Sequence, residues 1–437
     1  MGQTISEKIF SSHIKREVTA GDLLFSPLDL MMSNDASFPL VLEALQKIRG
    51  YTPKEARKLV LILDHYCPSP SQEVSRIHED IKTFAHQFGC TLYAEGEGVC
   101  HQLIPEKGHI RPGHLVIGSD SHTTTYGALN AFATGVGSTD MAVAIHYGLL
   151  WFKVPSSIRI EINGNIPKGV YAKDISLHFI AKVTSRGANG LAVEFSGDTL
   201  GKLSMEGRLT ICNMVMETGG KAGIMPADEV CRAWLKGKGV TDVLPVTPDR
   251  DASYDREYSF DISSLEPQVA APHQVDNVHP ISEVKGKKIA MAFLGTCTNG
   301  RLEDLAVAAQ ILKGKRIHPG VVLVIAPASR DVMLEACNRG YIQALVESGG
   351  MLNAPGCGPC VGALGGVPAD GVNVISTANR NFIGRMGNVK AGIYLASPAT
   401  VAASCLTGEI TDPRTRTTSS PRREKGIRWT RKNWPAS

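Results

Sequence analysis

The sequence predicts an α/β fold built on parallel sheets, and three observations indicate it. Short apolar runs rich in β-branched residues recur along the chain, for example at residues 60–63, 115–118 and 158–162. Amphipathic stretches of helical length separate such runs, as at residues 71–88 and 302–312. Strands that alternate with helices are typical of parallel sheets covered by helices. The length of 437 residues corresponds to about three domains of about 150 residues each.

Two boundaries divide this pattern. The first lies near Val154 and Pro155, where a helical stretch meets a new strand. The second is the segment 267–280, which carries three prolines and little helical periodicity, so it is predicted to be a linker. From Pro413 onward threonine, serine, proline and arginine dominate. The predicted organisation is three α/β domains at residues 1–155, 156–277 and 278–412, followed by a basic, disordered tail at 413–437.

Composition and charge exclude several classes of protein. Hydrophobic residues make up 43% and charged residues 20% of the chain, which is ordinary for a globular protein. There is no apolar run of about 18 residues and no secretory signal, so the sequence predicts a cytoplasmic protein without a membrane span. The formal charge of +4 is uneven, because the tail from Arg414 carries +7 and the rest −3. Only the tail could therefore attract nucleic acid, and we expect no such partner.

Three of the ten cysteines stand out by their context. Cys357 and Cys360 lie in a Gly/Pro-rich run, and Cys297 lies in the segment 295–301 directly after an apolar run at residues 289–294. Spacing leaves three interpretations open: an iron–sulfur cluster with one open iron, a zinc site, or a redox-active pair. The cluster is favoured, because zinc usually takes four ligands and a redox pair needs no third cysteine. The remaining cysteines are predicted to be buried and inert: Cys67, Cys90, Cys100, Cys212, Cys231, Cys337 and Cys405.

Histidines stand beside carboxylates in three places near the ends of predicted strands or turns. Catalytic groups in open α/β sheets gather at the carboxyl ends of strands, and a carboxylate fixes the tautomer of a histidine and raises its basicity. Because an aspartate at a strand end also commonly caps the next helix, a structural role for each remains open. The residues concerned are Asp64, His65, His101, Asp120, Ser121 and His122. Four other histidines lack such a context and are predicted to lie at the surface: His13, His78, His86 and His109.

Two arginines lie five residues apart around a glycine in the segment 379–385. Arg380 and Arg385 could bind a dicarboxylate or a phosphate through paired hydrogen bonds, or they could be solvated in an ordinary loop. The chain has neither a P-loop nor a dinucleotide-binding fingerprint after a strand. A nucleotide cofactor is therefore unsupported.

Together these motifs resemble the aconitase superfamily. The similarity runs from about Gln3 to Pro413 and is carried by the segments 118–123, 126–140, 295–301, 356–360 and 379–385. The resemblance implies three α/β/α domains around one [4Fe-4S] cluster. It also implies that Cys297, Cys357 and Cys360 are the ligands and that one iron stays open.

The resemblance further implies roles for the residues of the site. Three catalytic pairs are expected: His65 with Asp64, His101 with Asp120, and His122 with Glu217. Arg380 and Arg385 would bind substrate, with Ser121 and Asn213 as polar contacts.

The reaction that the resemblance implies is a hydro-lyase isomerisation by dehydration and rehydration. The swivelling domain of full-length aconitases is absent, so the similarity is to separate large subunits whose small partner supplies the base. The expected substrates are 2-isopropylmalate and 3-isopropylmalate, in leucine biosynthesis. Homocitrate-type and 2,3-dimethylmalate substrates are alternatives, and RNA binding by a cluster-free protein ranks below them. Asn34 stands where aconitases have glutamine, which disfavours citrate.

Overall fold

The computed structural model describes residues 2–415, which form a mixed α/β structure with several sheets. The predicted disordered tail at 413–437 therefore lies outside the described residues, apart from 413–415. The strands are β1 Leu23–Pro27, β2 Leu30–Asn34, β3 Leu59–Ile62, β4 Thr91–Tyr93, β5 Leu115–Gly118, β6 Phe132–Gly135, β7 Leu149–Lys153, β8 Ser157–Asn163, β9 Ala192–Ser196, β10 Ala222–Ile224, β11 Arg256–Asp261, β12 Gln268–Ala270, β13 Val278–Pro280, β14 Met291–Gly295, β15 Val322–Ala326, β16 Met351–Leu352, β17 Asn373–Ser376 and β18 Gly392–Ala396.

The α-helices are α1 Ile5–Ile14, α2 Phe38–Gln46, α3 Gln72–Phe88, α4 Cys100–Glu106, α5 Ser138–Tyr147, α6 Ala172–Val183, α7 Met205–Met214, α8 Glu229–Gly237, α9 Ile281–Val284, α10 Thr296–Asn299, α11 Leu302–Leu312, α12 Arg330–Asn338, α13 Tyr341–Glu347 and α14 Pro398–Thr407. Short 3₁₀ helices cover Ala56–Lys58, Ser121–Leu129, Asp198–Lys202, Val215–Thr218 and Gly358–Val361. None of the helices within residues 2–415 combines the length and the apolarity that crossing a bilayer requires.

The first sheet has five parallel strands in the order β4-β3-β2-β5-β6. Strands β3 and β5 are buried at every position, which explains why they appear in the sequence as continuous apolar runs rather than alternating ones. Asp64 and His65 follow β3, and Asp120 to His122 follow β5. Because parallel strands end at one edge of the sheet, these side chains lie together there.

The second sheet has four parallel strands in the order β10-β9-β8-β11. Helix α7 lies between β9 and β10 in sequence and carries Asn213, and Glu217 lies in the 3₁₀ turn that follows it. This unit therefore supplies two of the predicted site residues.

The third sheet has seven strands in the order β13-β12-β18-β17-β14-β15-β16. Its central strands are parallel, and Cys297 follows β14 while the 379–385 segment follows β17. The interpretation of 267–280 as a linker is wrong, because β12 and β13 pair with each other and β12 also pairs with β18. Proline is tolerated here because Pro267 and Pro272 flank β12 and Pro280 ends an edge strand.

A fourth sheet consists of the antiparallel pair β1-β7, and one hydrophobic core is shared by the three larger sheets. Val60 of the first sheet, Ile160 of the second and Phe293 of the third belong to the same buried cluster. The carboxyl ends of β3, β5, β14 and β17 thus face one central region. The domain limits 1–155, 156–277 and 278–412 stay a prediction, although β12 lies within the second range and pairs in the third sheet.

Two surface and burial predictions are wrong. His78, predicted to lie at the surface, is 1% exposed, because helix α3 turns it inward on the same face as Ile81 and Ala85. His86 is exposed as predicted, whereas His13 and His109 are half-buried. Of the seven cysteines predicted to be buried and inert, Cys337 is exposed and Cys90 is half-buried, while the other five are buried.

Candidate active site

The three predicted ligand cysteines line one cavity. Cys297 lies in the short helix α10, and Cys357 and Cys360 lie at the 3₁₀ turn Gly358–Val361. All three are buried, and they line a small cavity of about 30 Å³ together with residues from the first sheet. The backbone N–H of Cys357 donates to the carbonyl of Asp64 at 3.0 Å, so the cysteine turn is fastened directly to the end of β3.

Local packing explains why these turns keep their shape. A Cβ atom at Gly362, where φ is +75°, would lie 2.3 Å from the backbone nitrogen of Gly387. Only glycine therefore lets the cysteine turn approach residues 379–387, called here the arginine loop because they carry Arg380 and Arg385. On the other side, the buried Arg301 donates through Nη2 to the carbonyl of Cys297 at 2.5 Å and through Nη1 to the carbonyl of Thr298 at 2.7 Å. Both contacts hold the backbone of the short helix that carries Cys297.

The surroundings of the sulfur atoms fit the predicted cluster. Asn213 Nδ2 lies 3.5 Å and Asn379 Nδ2 lies 3.7 Å from Cys297 Sγ, and Arg385 Nη2 lies 3.4 Å from Cys360 Sγ. Donors of this kind stabilise a thiolate. Burial raises the pKa of the Cys297 thiol, so a bound metal is what would keep it ionised here. Arg385 Nε is buried without a hydrogen-bond partner within residues 2–415, which leaves a donor for a ligand.

A second metal arrangement is also compatible with the geometry. One ligand atom each of Asp64, His65 and Cys357 lies within 4.8 Å of the other two. Three ligands with an open position suit a mononuclear ion such as zinc. Zinc bound by these three residues is therefore an alternative to the iron–sulfur cluster, and metal analysis distinguishes the two.

Each implied histidine pair is in hydrogen-bond contact. His65 Nδ1 lies 2.7 Å from Asp64 Oδ1, His101 Nε2 lies 2.9 Å from Asp120 Oδ1, and His122 Nε2 lies 2.8 Å from Glu217 Oε1. A carboxylate accepts hydrogen bonds, so each pairing places a proton on the named histidine nitrogen. The opposite ring nitrogen of each histidine is then available for a second partner.

Asp120 lies at the centre of this arrangement. In addition to His101, its carboxylate accepts from the backbone N–H of His122 at 2.8 Å and lies 3.5 Å from His65 Nε2. Burial raises the pKa of Asp120, but the three histidines outweigh it and hold that pKa well below the usual range. For His65, burial is again opposed, here by Cys357, Asp64 and Asp120, and its pKa is raised well above the usual value. The site therefore keeps an anion beside a cation.

Arg380 joins the third sheet to the second and the first. Its Nε donates to Glu217 Oε1 at 2.8 Å, and its Nη2 donates to Ser121 Oγ at 3.1 Å. Burial raises the pKa of Glu217, but His122 and Arg380 lower it below the usual value. Neither contact uses Nη1, so part of the guanidinium remains for a substrate. All predicted site residues are thus brought together.

Several residues that shape the site were not singled out from the sequence motifs. Tyr126 Oη lies 3.1 Å from His101 Nδ1, and Asp35 accepts the backbone N–H groups of His65 and Tyr66, both at 2.9 Å. Tyr126, Arg301 and Asn379 lie inside the segments that carry the family resemblance, so their positions in the sequence could have marked them as site residues. Asp35 follows β2 directly, and its position at a strand end beside Asn34 could have marked it.

Comparisons with known proteins agree with this geometry. The chain matches the aconitase family (aconitate hydratase) over residues 7–408. It is 45% identical over 415 residues to 3-isopropylmalate dehydratase large subunit 1 of Methanopyrus kandleri, and 48% identical over 415 residues to large subunit 2 of Archaeoglobus fulgidus, covering 95% of this chain and 99% of each relative. It is also 48% identical over 393 residues to the probable methanogen homoaconitase large subunit of Methanosarcina mazei, covering 90% of this chain and all of the relative.

Proposed function

The chain belongs to the aconitase family, and from this membership we propose that it is the large subunit of an iron–sulfur hydro-lyase that interconverts 2-isopropylmalate and 3-isopropylmalate. The observation that carries the proposal is the convergence of three buried cysteines and three histidine–carboxylate pairs on one cavity. This isomerisation belongs to leucine biosynthesis.

We propose that Cys297, Cys357 and Cys360 hold one [4Fe-4S] cluster with an open iron. The amide and guanidinium donors that face Cys297 and Cys360 support this, since they suit thiolate ligands. When bound, such a cluster supplies a Lewis acid for the hydroxyl and carboxylate oxygens of the substrate. The chain's own residues bind, orient and exchange protons around it.

His65 is proposed to protonate the departing hydroxyl. Its Nδ1 is held by Asp64, so Nε2 is the nitrogen that can transfer a proton to the substrate. The carboxylates of the buried Asp64 and the half-buried Asp120 flank the ring on both sides and favour its protonated form. Water leaves more easily than hydroxide at neutral pH, which is why a positioned acid is needed.

The two arginines are proposed to bind the substrate carboxylate. As the proton alpha to this carboxylate is lost, negative charge develops on its oxygens, and fixed guanidinium groups stabilise that charge. Glu217 and Ser121 orient Arg380 for this task, and Asn213 fixes the neighbouring sulfur. Readdition of water at the other carbon then moves the hydroxyl.

A small swivel-domain subunit is proposed to supply the base and to close the pocket. The names of the relatives support this, because they are large subunits. Phe382 and Ile383, between the two substrate arginines, are 47% and 59% exposed. Exposed apolar side chains in a segment that also carries site residues are a surface that a partner chain would cover.

The experiment is to purify the chain without oxygen together with such a small subunit. We expect about four iron and four sulfide per large chain and turnover of 2-isopropylmalate above that of citrate or 2,3-dimethylmalate. Formation of the unsaturated intermediate is followed by its ultraviolet absorbance. Zinc without iron or sulfide would overturn the cluster proposal.

Homoaconitase is the second candidate function. It is favoured by the 48% identity to the probable methanogen homoaconitase large subunit, which equals the identity to the dehydratase subunit of Archaeoglobus fulgidus. Homocitrate in the same substrate panel distinguishes the two. A complex that converts homocitrate faster than 2-isopropylmalate would reverse the ranking.

A further inference from the structure

Lys173 is a fully buried lysine that the proposed mechanism does not use. It lies in the first turn of α6 and is 0% exposed. Its Nζ donates to the carbonyl of Thr377 at 3.0 Å and to the carbonyl of Ala378 at 2.6 Å. These two carbonyls directly precede the 379–385 segment, which carries both substrate arginines. The ammonium group therefore anchors the turn from β17 into that segment.

The charge of Lys173 has no carboxylate partner among residues 2–415. Its third contact is the sulfur of Met214, 3.7 Å from Nζ, and the adjacent Asp174 instead accepts backbone N–H groups of Tyr171 and Gln268 at 2.8 and 2.9 Å. A buried ammonium that faces only carbonyls and a thioether is costly, so a nearby negative charge is needed to retain it.

The turn that Lys173 anchors leads directly to the proposed cluster ligands. Asn379 follows Ala378 in the chain, and its Nδ2 lies 3.7 Å from Cys297 Sγ while its Oδ1 lies 3.9 Å from Cys360 Sγ. Burial lowers the pKa of Lys173 to about 7, and negative charge on Cys360 and Cys297, which a bound cluster would maintain, opposes that effect ahead of Glu217. The anchored turn thus connects this lysine both to the substrate arginines and to the cluster ligands.

We propose that Lys173 is a positioning residue that anchors the turn at Thr377 and Ala378 and places a compensating positive charge behind the cluster thiolates. This inference rests on the proposed function, since the anionic cluster is what the charge would compensate. A cluster held by three thiolates becomes more negative when it gains an electron, so a fixed cation nearby raises its reduction potential.

Four variants separate the two tasks. Lys173→Met removes both the charge and the donors at similar volume. Lys173→Gln removes the charge but keeps an N–H₂ group for a carbonyl, and Lys173→Arg keeps the charge. Lys182→Met is the matched control, because Lys182 is an exposed lysine in the same helix. All are prepared without oxygen as the complex with the small subunit.

We expect Lys173→Met to lower kcat/KM by about tenfold or more, which is typical for groups that orient metal ligands. Most of the loss should appear as a higher KM for the dicarboxylate, since the arginine loop is released. The midpoint potential of the cluster, from a titration followed by electron paramagnetic resonance, should become more negative in both Met and Gln variants. Lys173→Arg should restore the potential, and Lys182→Met should leave both readouts unchanged.

The outcomes distinguish this inference from the proposed function. A wild-type complex without iron and sulfide overturns the proposed function and the inference with it. A loaded wild type whose Met and Gln variants keep its potential and its KM overturns the inference alone. Circular dichroism and iron content check the fold of each variant, and if Lys173→Met does not fold, Lys173→Gln still tests the charge.

Discussion

Single side chains in this site depend on carboxylates that stay ionised although they are largely shielded from solvent. Asp120 faces the three histidines, and Glu217 faces His122 and Arg380, and in both cases these partners outweigh the effect of burial on the carboxyl pKa. Removal of one partner would leave the other charge buried and uncompensated, which is strongly destabilising. Substitutions here should therefore act far more strongly than the same changes at the surface.

Cys357→Ser should abolish turnover by loss of the cluster rather than of the fold. Serine has nearly the same size as cysteine, but its oxygen does not replace a thiolate on iron in this site. Iron and sulfide content, activity and circular dichroism are the measurements. Cys337→Ser, at an exposed cysteine, is the control. Full turnover of Cys357→Ser would contradict the ligand assignment.

Arg380→Lys should weaken substrate binding and turnover although it keeps the charge. Lysine has one ammonium in place of the planar fork, so the hydrogen bonds to Glu217 and Ser121 and the contact to substrate cannot all be made. Hydrogen bonds to charged groups are worth about 1.5–3 kcal/mol, and we expect kcat/KM to fall by about 10- to 100-fold. Arg339→Lys, at the exposed arginine that directly follows α12, should change nothing. Near-native kinetics of Arg380→Lys would count against its assignment.

Among the structural elements, helix α3 is fastened to the first sheet by a buried ion pair. His78 Nε2 lies 3.0 Å from Asp35 Oδ2, and His78 Nδ1 lies 3.1 Å from Glu95 Oε1. Because carboxylates only accept, both ring nitrogens donate and the imidazole is a cation. Asp35 in turn accepts the backbone N–H groups of residues 64–66. Helix α3 thereby supports the turn that carries His65.

His78→Gln should lower the free energy of unfolding in a pH-dependent way. The hydrogen bond to Asp35 raises the pKa of His78 against the effect of burial, so its stabilisation is complete below about pH 6.5 and is lost as pH rises through the raised value. Burial raises the pKa of Asp35, but His78 and its other partners lower it, so its stabilisation exists above about pH 3.9 and is lost as pH falls further.

Urea unfolding at about pH 5.5 and about pH 9 measures this effect. The wild type should exceed His78→Gln by about 1–3 kcal/mol at the lower pH, and the difference should shrink at the higher one. His86→Gln, at an exposed position of the same helix, should show no such difference. If the difference in unfolding free energy between wild type and His78→Gln grew toward high pH, His78 and Asp35 would not have the assigned charges.

Across the whole molecule, the site is assembled from elements of the three larger sheets. The assigned residues run from Asp64 to Arg385, and the tail from Arg414 holds the excess positive charge. The hydrophobic core that joins the sheets lies within residues 30–395. Catalysis and nucleic-acid binding should therefore be separable by truncation.

Removal of residues 416–437 should leave iron content and kcat/KM within about twofold of the full chain. Any affinity for RNA should fall, because neutralisation of phosphates by basic residues dominates such binding. Turnover and filter binding at two salt concentrations measure both. RNA affinity that survives the truncation would revive the RNA-binding alternative.

The order of strands and helices was predictable because it depends on short-range periodicity. The runs at 60–63 and 115–118 became β3 and β5 within one residue, and 302–312 became α11. The segment 267–280 was not predictable as sheet, since its two strands have only three residues each and β12 pairs with β18 more than 120 residues away. Proline content indicated only that no helix would form there.

Residue types and local motifs singled out the cysteines, histidines and arginines that the structure brings together, whereas their roles follow from the family resemblance and stay a prediction. The partners of buried charges required the folded chain. His78 meets Asp35 from 43 residues away, and Lys173 meets Thr377 from 204 residues away. Burial and long-range contact depend on how distant segments close around a shared core, and no local pattern of polar residues encodes that.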